Sequence, residues 1–537
     1  MSLSDAATAP DVAALVQAAA EDAPDRLAVV EAGGRGLTWA ELDEEVGRVA
    51  SGLGAAGVLA GHRVMIAMGN RIEFVTTYLG VLRTQAVAVP VNPLSTAVEI
   101  AGMLVDSGAR MLVVDADADA ADRAREALAR TEVAAAAGDE GRPLPRLVLV
   151  GAEPADGEVS YDDLRAVEPR PVPPLPDPEK LAVLLYTSGT SGLPRAAMLT
   201  HRALLANVDQ VAAVEPAMIR SDDVVLGVLP LFHVYGLGAV LGGVVRHRAK
   251  LVLADRFDPE GTLDLIEDEA CSVVPVAPPV FAAWQGVEAL AERMGPVRMI
   301  LSGSAPLSAE VVEQFSELAG VPVHQGYGLT EAAPVVTTTL LSTGAKPGSV
   351  GAALPGIDVR LVDDEGRPLE GTEADDAGEI QVRGANLFSG YWPDGADGPD
   401  ADGWWSTGDV GFLDADGDLF LVDRVKELVI VSGFNVYPTE VEAVLGEVDG
   451  VRQVAVLGAP DEQTGEAVVA YVVPGDGTGE DQLVDAVRAA AQERLAPYKR
   501  PSRVEVVATL PRTVTGKVRK GMLRGYERRK ALGILES

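Results

Sequence analysis

From residue 27 onward, short runs of apolar, often β-branched residues alternate with longer stretches whose apolar positions recur every three to four residues. This is the pattern of α/β layers around parallel sheets, because strands covered on both faces are apolar throughout while the helices that cover them are apolar on one side. Seven runs, each bounded by turn residues or charge, read as buried strands: Val64–Met68, Met111–Val114, Leu147–Val150, Leu181–Leu185, Lys250–Leu253, Ser272–Val276 and Met299–Leu301. A helix starts behind Thr38. Glu41 stands three residues on, in capping-box spacing, and Leu42, Val46, Val49, Ala50 and Leu53 then follow at helical period.

The texture changes near Gly351 to shorter strands and Gly/Asp turns (VRLVDDEG, GEIQVRG, FLDADGDLFLVDR), which predict an antiparallel, barrel-like subdomain. After Asp423 a compact unit begins, with helices over Pro438–Leu445 and Asp481–Leu495 and strands over Val454–Leu457, Val468–Val473 and Val504–Val507. The proline-rich PRPVPPLPDPEK at 169–180 has the composition of a linker, but the strand behind it ends in a glycine loop that needs the earlier sheet for support. It therefore reads as a surface excursion within one large domain. No internal repeat is visible.

A chain of 537 residues, 47% of them hydrophobic, exceeds one ordinary core and predicts at least two domains. The net charge of −36 sets the chain against nucleic acid and anionic membrane faces. With one cysteine, Cys271, there is no intrachain disulfide and no Cys-rich metal site. The start MSLSDAATAPDVAALVQ lacks a cationic segment before an apolar core, so the expected location is cytoplasmic. Val224–Val245 has the length of a membrane span, but Pro230, His233 and five glycines favour a buried strand leaving into a loop.

Four segments carry candidate chemistry. In LLYTSGTSGLPRAAMLTH, residues 184–201, a strand enters a loop holding Thr187, Ser188, Gly189, Thr190, Ser191 and Gly192, and Pro194 then precedes an expected helical run. Inward N–H groups and hydroxyls suit phosphate oxygens, although a Ser/Gly surface loop has the same composition. This loop has neither the GxxxxGK followed by Ser or Thr of a Walker loop nor the GxGxxG of a dinucleotide fold. In QGYGLTEAAP, residues 325–334, Tyr327 can lie against a planar base, Thr330 can donate to phosphate and Glu331 can hold Mg²⁺; a turn opening a helix with Thr-Glu reads equally well. Asp409 in STGDVGF can accept two ribose hydroxyls or be a solvated acid. Lys517 in LPRTVTGKVRK can bridge anionic oxygens from a long stem or be solvated surface.

In this order, over nearly the whole chain, the four segments resemble the adenylate-forming (ANL) superfamily of acyl-CoA synthetases, luciferases and peptide-synthetase adenylation domains. LPLFHVYGL at 229–237, GSAPLS at 303–308 and SGFNVYPTEVE at 432–442 add to the likeness, which is nearest to aryl- and fatty-acyl-CoA ligases. The resemblance implies an α/β fold with a large N-terminal domain over 1–423, built of two stacked α/β sheets and a small β-barrel-like subdomain. A small mobile α+β C-terminal domain over 424–537 would turn about a hinge at 424–427 that includes Lys426. It implies an acyl-CoA ligase that uses ATP, Mg²⁺ and coenzyme A to convert a hydrophobic carboxylic acid to its thioester through an acyl-adenylate.

By the same likeness Lys517, Thr330, Glu331 and His233 are catalytic, with Glu331 holding the metal. The glycine loop with Arg195, together with Gly303, Ser304, Ala305, Gln325, Gly326, Tyr327, Gly328, Asp409 and Arg424, would bind the nucleotide. Tyr235, Gly236, Ser302, Gly303, Pro334 and Val335 would line the acyl pocket, and Ser432, Gly433 and Phe434 the pantetheine path. The partners would be these small molecules, with the chain monomeric or homodimeric. One departure stands out: the family loop ends Pro-Lys-Gly, and here Pro194-Arg195-Ala196 stands instead. If Ala196 needed a positive φ, or the broad arginine fork displaced phosphate, ATP-dependent adenylation would be impaired and preformed adenylate would be the better substrate. Loading of a carrier protein is the other alternative.

Overall fold

The computed structural model describes residues 9–115, 118–139, 141–173, 177–187, 195–304, 307–344, 346–363, 365–372, 376–424, 429–431, 434–436, 438–461, 465–475, 477, 479–495, 499–513 and 516–531. A seven-stranded sheet runs Val159–Ser160, Arg146–Val150, Met111–Asp115, Arg63–Ala67, Val87–Pro90, Leu181–Thr187, Arg195–Thr200. All neighbours are parallel except the last pair. A second sheet contains six consecutive parallel strands: Leu27–Glu31, Lys250–Leu253, Val224–Gly227, Val273–Val276, Met299–Ser302 and Val323–Gly328. Val323–Gly328 then pairs antiparallel with Val335–Thr338, and the expected antiparallel strands 349–424 continue from there, so they extend the second sheet to thirteen strands.

The two sheets share one core. Helices Val12–Asp22, Trp39–Ala55, Ile72–Arg83 and His201–Ala212 bury Val16, Trp39, Leu53, Phe74 and Leu204 in the same apolar cluster as Val64 and Ile66 of the first sheet and Val225 and Leu251 of the second. Separate clusters lie on the outer faces. The stacking is what the periodicity demands, since strands apolar on both faces need helices on both sides. Thr38 caps Trp39–Ala55 with a capping box to Glu41. The proline-rich excursion passes that helix, where the Arg170 N–H donates to Ser51 Oγ at 2.8 Å, and the end of the helix Ile72–Arg83, where the Pro173 carbonyl accepts from Gln85 Nε2 at 3.0 Å.

The expected helical run after Pro194 is instead the strand Arg195–Thr200, antiparallel to Leu181–Thr187. Ala-Ala-Met-Leu has high helix propensity, but its alternate residues serve two cores: Ala196 and Met198 face the outer cluster, Ala197 and Leu199 the inner one. Burial at period two overrides local preference. The helix begins only at His201, where Thr200 Oγ accepts from the Ala203 N–H at 3.1 Å. Val224–Val245 divides into the strand Val224–Gly227, a turn, a π-helix Tyr235–Gly242 and the helix Gly243–His247. Among the described residues no helix is long and apolar enough to cross a membrane.

The smaller C-terminal domain has its own sheet, with Phe434–Val436, Val429–Val431, Gly465–Pro474 and Val451–Asp461 in order and Arg503–Val506 parallel to Gly465–Pro474. Helices Pro438–Gly446 and Glu480–Arg494 cover it, burying Val441, Leu445 and Val487. In the large domain Cys271 is fully buried in an outer cluster, and burial pushes its thiol up to about 12.

Candidate functional site

Parallel strands place all their carboxyl ends on one edge, and a crevice outside such an edge is the usual place for a ligand in an open α/β sheet. Here LPLFHVYGL leaves Gly227, Pro279 follows Val276, Gly303 and Ser304 follow Ser302, and Leu329–Pro334 follows Gly328. Asn70, just beyond the first-sheet strand Arg63–Ala67, ties the first of these loops down. Its buried amide donates to the carbonyls of Gly227 and Leu229 at 2.9 and 2.8 Å and accepts from the Leu231 N–H at 2.9 Å.

Within that loop the Tyr235 N–H donates to His233 Nδ1 at 3.3 Å, and burial pushes the imidazole down to about 4, so it is neutral near pH 7. Tyr235, at the start of the π-helix with Gly236, donates its hydroxyl to the Leu301 carbonyl at 3.3 Å. Gly303 lies on the Tyr235 ring so closely that a Cβ there would come within 2.8 Å of Cε1. The Ser302 and Ser304 hydroxyls are buried with no hydrogen-bond partner among the described residues, and Ser304 holds φ at +74°. An unpartnered buried hydroxyl costs about 1–3 kcal/mol, and backbone strain of this kind clusters where ligands bind.

Gln325, Gly326, Tyr327 and Gly328 finish the strand Val323–Gly328, Thr330 and Glu331 occupy the single turn after it, and Pro334 leads into Val335 of the next strand. Buried amides hold this turn: Asn207 exchanges hydrogen bonds with the backbone of Val335 at 2.7 and 3.0 Å, and Asn386 Nδ2 donates to the Ala332 carbonyl at 2.7 Å. Tyr327 OH donates to Asp409 Oδ2 at 2.7 Å, and Asp409 lies opposite Arg424 in the antiparallel register. Glu331, 9% exposed, accepts from the hydroxyl of Tyr391, whose ring carries the Arg195 guanidinium 3.8 Å from its centroid. Glu331 and burial push the Tyr391 phenol up; burial contributes most. Among the described residues no three His, Cys, Asp or Glu side chains converge as a metal cage. A lone buried carboxylate that shares a cation with substrate phosphates is nonetheless how Mg²⁺ is commonly held.

Lys517 sits on a tight turn in which the Thr513 N–H donates to the Lys517 carbonyl at 2.8 Å and the Lys517 N–H donates to Thr513 Oγ1 at 3.1 Å. Gly516, at φ +84°, rests against Pro279, so the turn of the small domain meets the large domain beside the strand ends just described.

Ser188, Gly189, Thr190, Ser191, Gly192, Ala305, Lys426, Ser432 and Gly433 lie outside the described residues, and Arg424 and Phe434 are described only as backbone in their strands. Thr187 ends its strand with Oγ1 donating to the Arg195 carbonyl at 3.3 Å. Ala196 has ordinary strand backbone, not a positive φ, and its Cβ is packed in the outer cluster. The steric reason for doubting adenylation therefore does not apply at that position. Sequence reasoning passed over Asn70, Tyr391 and Asp397. The available signals were an Asn at the carboxyl end of a buried strand and an aromatic residue inside the Gly/Pro-rich SGYWP.

The family model for AMP-binding enzymes matches residues 16–392, and that for the AMP-binding enzyme C-terminal domain matches residues 440–517. The chain is 35% identical over 528 residues to a 4-coumarate–CoA ligase-like 9 of Oryza sativa subsp. japonica, covering 94% of this chain and 90% of that protein. It is 31% identical to the long-chain-fatty-acid–CoA ligase of Bacillus subtilis (strain 168), covering 92% and 90%. The ATP-bound MatB structure from Rhodopseudomonas palustris superposes with a TM-score of 0.84 at 31% identity, covering 96% of this chain and 99% of that one.

Proposed function

Because the chain belongs to the AMP-binding enzyme family, we propose from its site that it is an AMP-forming ligase that joins a hydrophobic carboxylic acid to coenzyme A through an acyl-adenylate. The observation that supports the reading is the contact of Gly516, next to Lys517, with Pro279, just past the strand Val273–Val276 at the edge where Tyr327 and Glu331 also stand, with Tyr327 bonded to Asp409.

In the first half-reaction a carboxylate oxygen attacks the α-phosphorus of ATP, the bond to the bridging oxygen breaks, and pyrophosphate leaves. Two anions must approach, so their repulsion has to be cancelled. The glycine loop from Thr187 would hold the terminal phosphates, and the Lys517 ammonium would span the carboxylate and the α-phosphate. Tyr327 would lie on the adenine opposite Gly303 and Ser304, while Asp409 and Arg424 would take the ribose. Glu331 would hold Mg²⁺, which when bound neutralises charge on the phosphates.

In the second half-reaction the thiol sulfur attacks the acyl carbon, the carbon–oxygen bond to AMP breaks, and the thioester forms. The small domain, starting at residue 424, would turn about 424–427 to withdraw Lys517 and present Gly433 and Phe434 to pantetheine. Neutral His233 would border the acyl pocket and thiol entry, with Tyr235, Gly236, Ser302, Gly303, Pro334 and Val335 around the acyl group. An apolar pocket discriminates by only ~1–3 kcal/mol per methylene, so the test needs a panel of acids. Incubation with ATP and fatty, aryl and polycyclic acids, with and without coenzyme A, should give AMP, pyrophosphate and an acyl thioester by mass. ADP and phosphate would overturn the adenylate mechanism.

A further inference from the structure

Arg195 directly follows the glycine loop, yet its guanidinium is engaged by the protein itself. It lies over the Tyr391 ring at 3.8 Å from the centroid, and Nη2 donates to Asp397 Oδ2 at 2.7 Å. The tyrosine beneath it is held by its backbone and by a neighbouring ring. Its N–H donates to the Ala396 carbonyl at 2.9 Å, the Trp392 N–H donates to the Ala196 carbonyl at 2.9 Å, the Met198 N–H donates to the Gly390 carbonyl at 3.1 Å, and Phe388 meets its ring edge-on at 5.0 Å. The free end of that ring donates to Glu331 Oε1, while the Glu331 carbonyl accepts from the Phe388 N–H at 2.9 Å. Asp397, Arg195, Tyr391 and Glu331 thus form one connected line from the loop to the buried carboxylate.

We propose that Arg195 is a positioning residue that acts through Tyr391 to fix the Glu331 carboxylate for the nucleotide-bound divalent cation, instead of contacting the triphosphate. The proposal rests on the adenylate-forming reading above. A planar guanidinium can lie flat on an aromatic face while a second nitrogen donates to a carboxylate, a fixed geometry that a lysine ammonium does not reproduce. Arginine at this position is therefore a requirement of the line it completes, not a conservative exchange for lysine. Partners that orient a metal ligand from behind change metal affinity by about 10–100-fold when removed.

The test uses Mn²⁺ as the probe, titrated onto the full chain in the presence of α,β-methylene-ATP, with free Mn²⁺ read by electron paramagnetic resonance. Arg195→Lys and Arg195→Ala should weaken Mn²⁺ retention alike, by about tenfold. The double variant Arg195→Lys/Tyr391→Phe should bind no more weakly than Tyr391→Phe alone, because residues acting in one line are not additive. An Arg195→Lys variant that retains wild-type Mn²⁺ affinity, or single-variant factors that multiply, would overturn the proposal. If thermal unfolding shows that Tyr391→Phe does not fold, the equality of the two Arg195 variants decides. A wild type that yields no AMP from ATP and any acid refutes the ligase reading separately, since the Mn²⁺ titration needs no turnover.

Discussion

The Tyr327 hydroxyl donates to the Asp409 carboxylate at 2.7 Å although the two residues are 82 positions apart, joining the residue proposed to carry the adenine to the one proposed to carry the ribose. A hydrogen bond to a charged group is worth about 1.5–3 kcal/mol, and about 1.4 kcal/mol is tenfold in affinity. Tyr327→Phe keeps the ring and removes the restraint on Asp409. We expect the KM for ATP to rise about tenfold with kcat little changed, measured by pyrophosphate release. An unchanged KM would mean that the hydrogen bond does not orient the carboxylate for nucleotide.

The turn that carries Lys517 has no room for a side chain at Gly516. A Cβ there would stand 2.1 Å from Pro279 Cγ, and φ of +84° is itself unfavourable for alanine. Gly516→Ala should therefore slow adenylation at least ~10-fold, and Lys517→Ala at least ~10²-fold, about the cost of one lost transition-state contact. Thioester formation from supplied acyl-adenylate should survive both changes. Equal losses in the two assays would make the turn structural.

Asn70 joins the two sheets through three buried hydrogen bonds. Its removal takes the Asn70 partner from the Leu229 carbonyl and the Leu231 N–H, at about 1 kcal/mol or more each, while the Gly227 carbonyl keeps the Ala254 N–H at 3.2 Å. Asn70→Ala should lower unfolding free energy by at least ~2 kcal/mol in urea, and Asn70→Asp, which cannot donate, should be no better. A loss within about 0.5 kcal/mol, the range of an ordinary surface change, would show that the loop from Gly227 is held by other contacts.

Burial pushes His201, His233 and His247 each down to about 4 from an ordinary 6.5, with Asp11 opposing the shift at His201. Between these values the unfolded chain binds more protons than the folded one. This contribution to stability is complete above pH 6.5 and is lost as pH falls toward 4, at up to ~1.4 kcal/mol per pH unit per histidine. His201 is 1% exposed and neither ring nitrogen has a partner among the described residues, so it can be replaced by an apolar residue. His201→Leu should reduce the pH slope of unfolding free energy by about one proton between about pH 4.5 and 6. An unaltered slope would show that this imidazole does not titrate on unfolding.

Lys250–Leu253 and the Thr38 cap were legible from the chain because each depends on neighbours in sequence. Arg195–Thr200 was misread as helix, since its alanines, methionine and leucine obtain strand geometry only by serving two cores that lie on opposite faces. Val87–Pro90 was passed over for a related reason: AVAVPV ends in a proline, and its place beside Arg63–Ala67 becomes visible only in the sheet. The candidate site followed the same division. Gly/Ser/Thr loops and acids at strand ends could be read from the chain, but the Tyr391–Glu331 contact joins residues 60 positions apart and no local pattern encodes it.

The burial of Cys271 has a chemical consequence for a protein proposed to handle an activated acyl group and a free thiol. With its thiol fully buried and pushed up to about 12, little of it is thiolate at pH 8, and the thiolate is the reactive form. The chain therefore carries no competing nucleophilic sulfur of its own: it is protected from self-acylation, and a chromogenic disulfide reagent added to the folded protein would count coenzyme A alone.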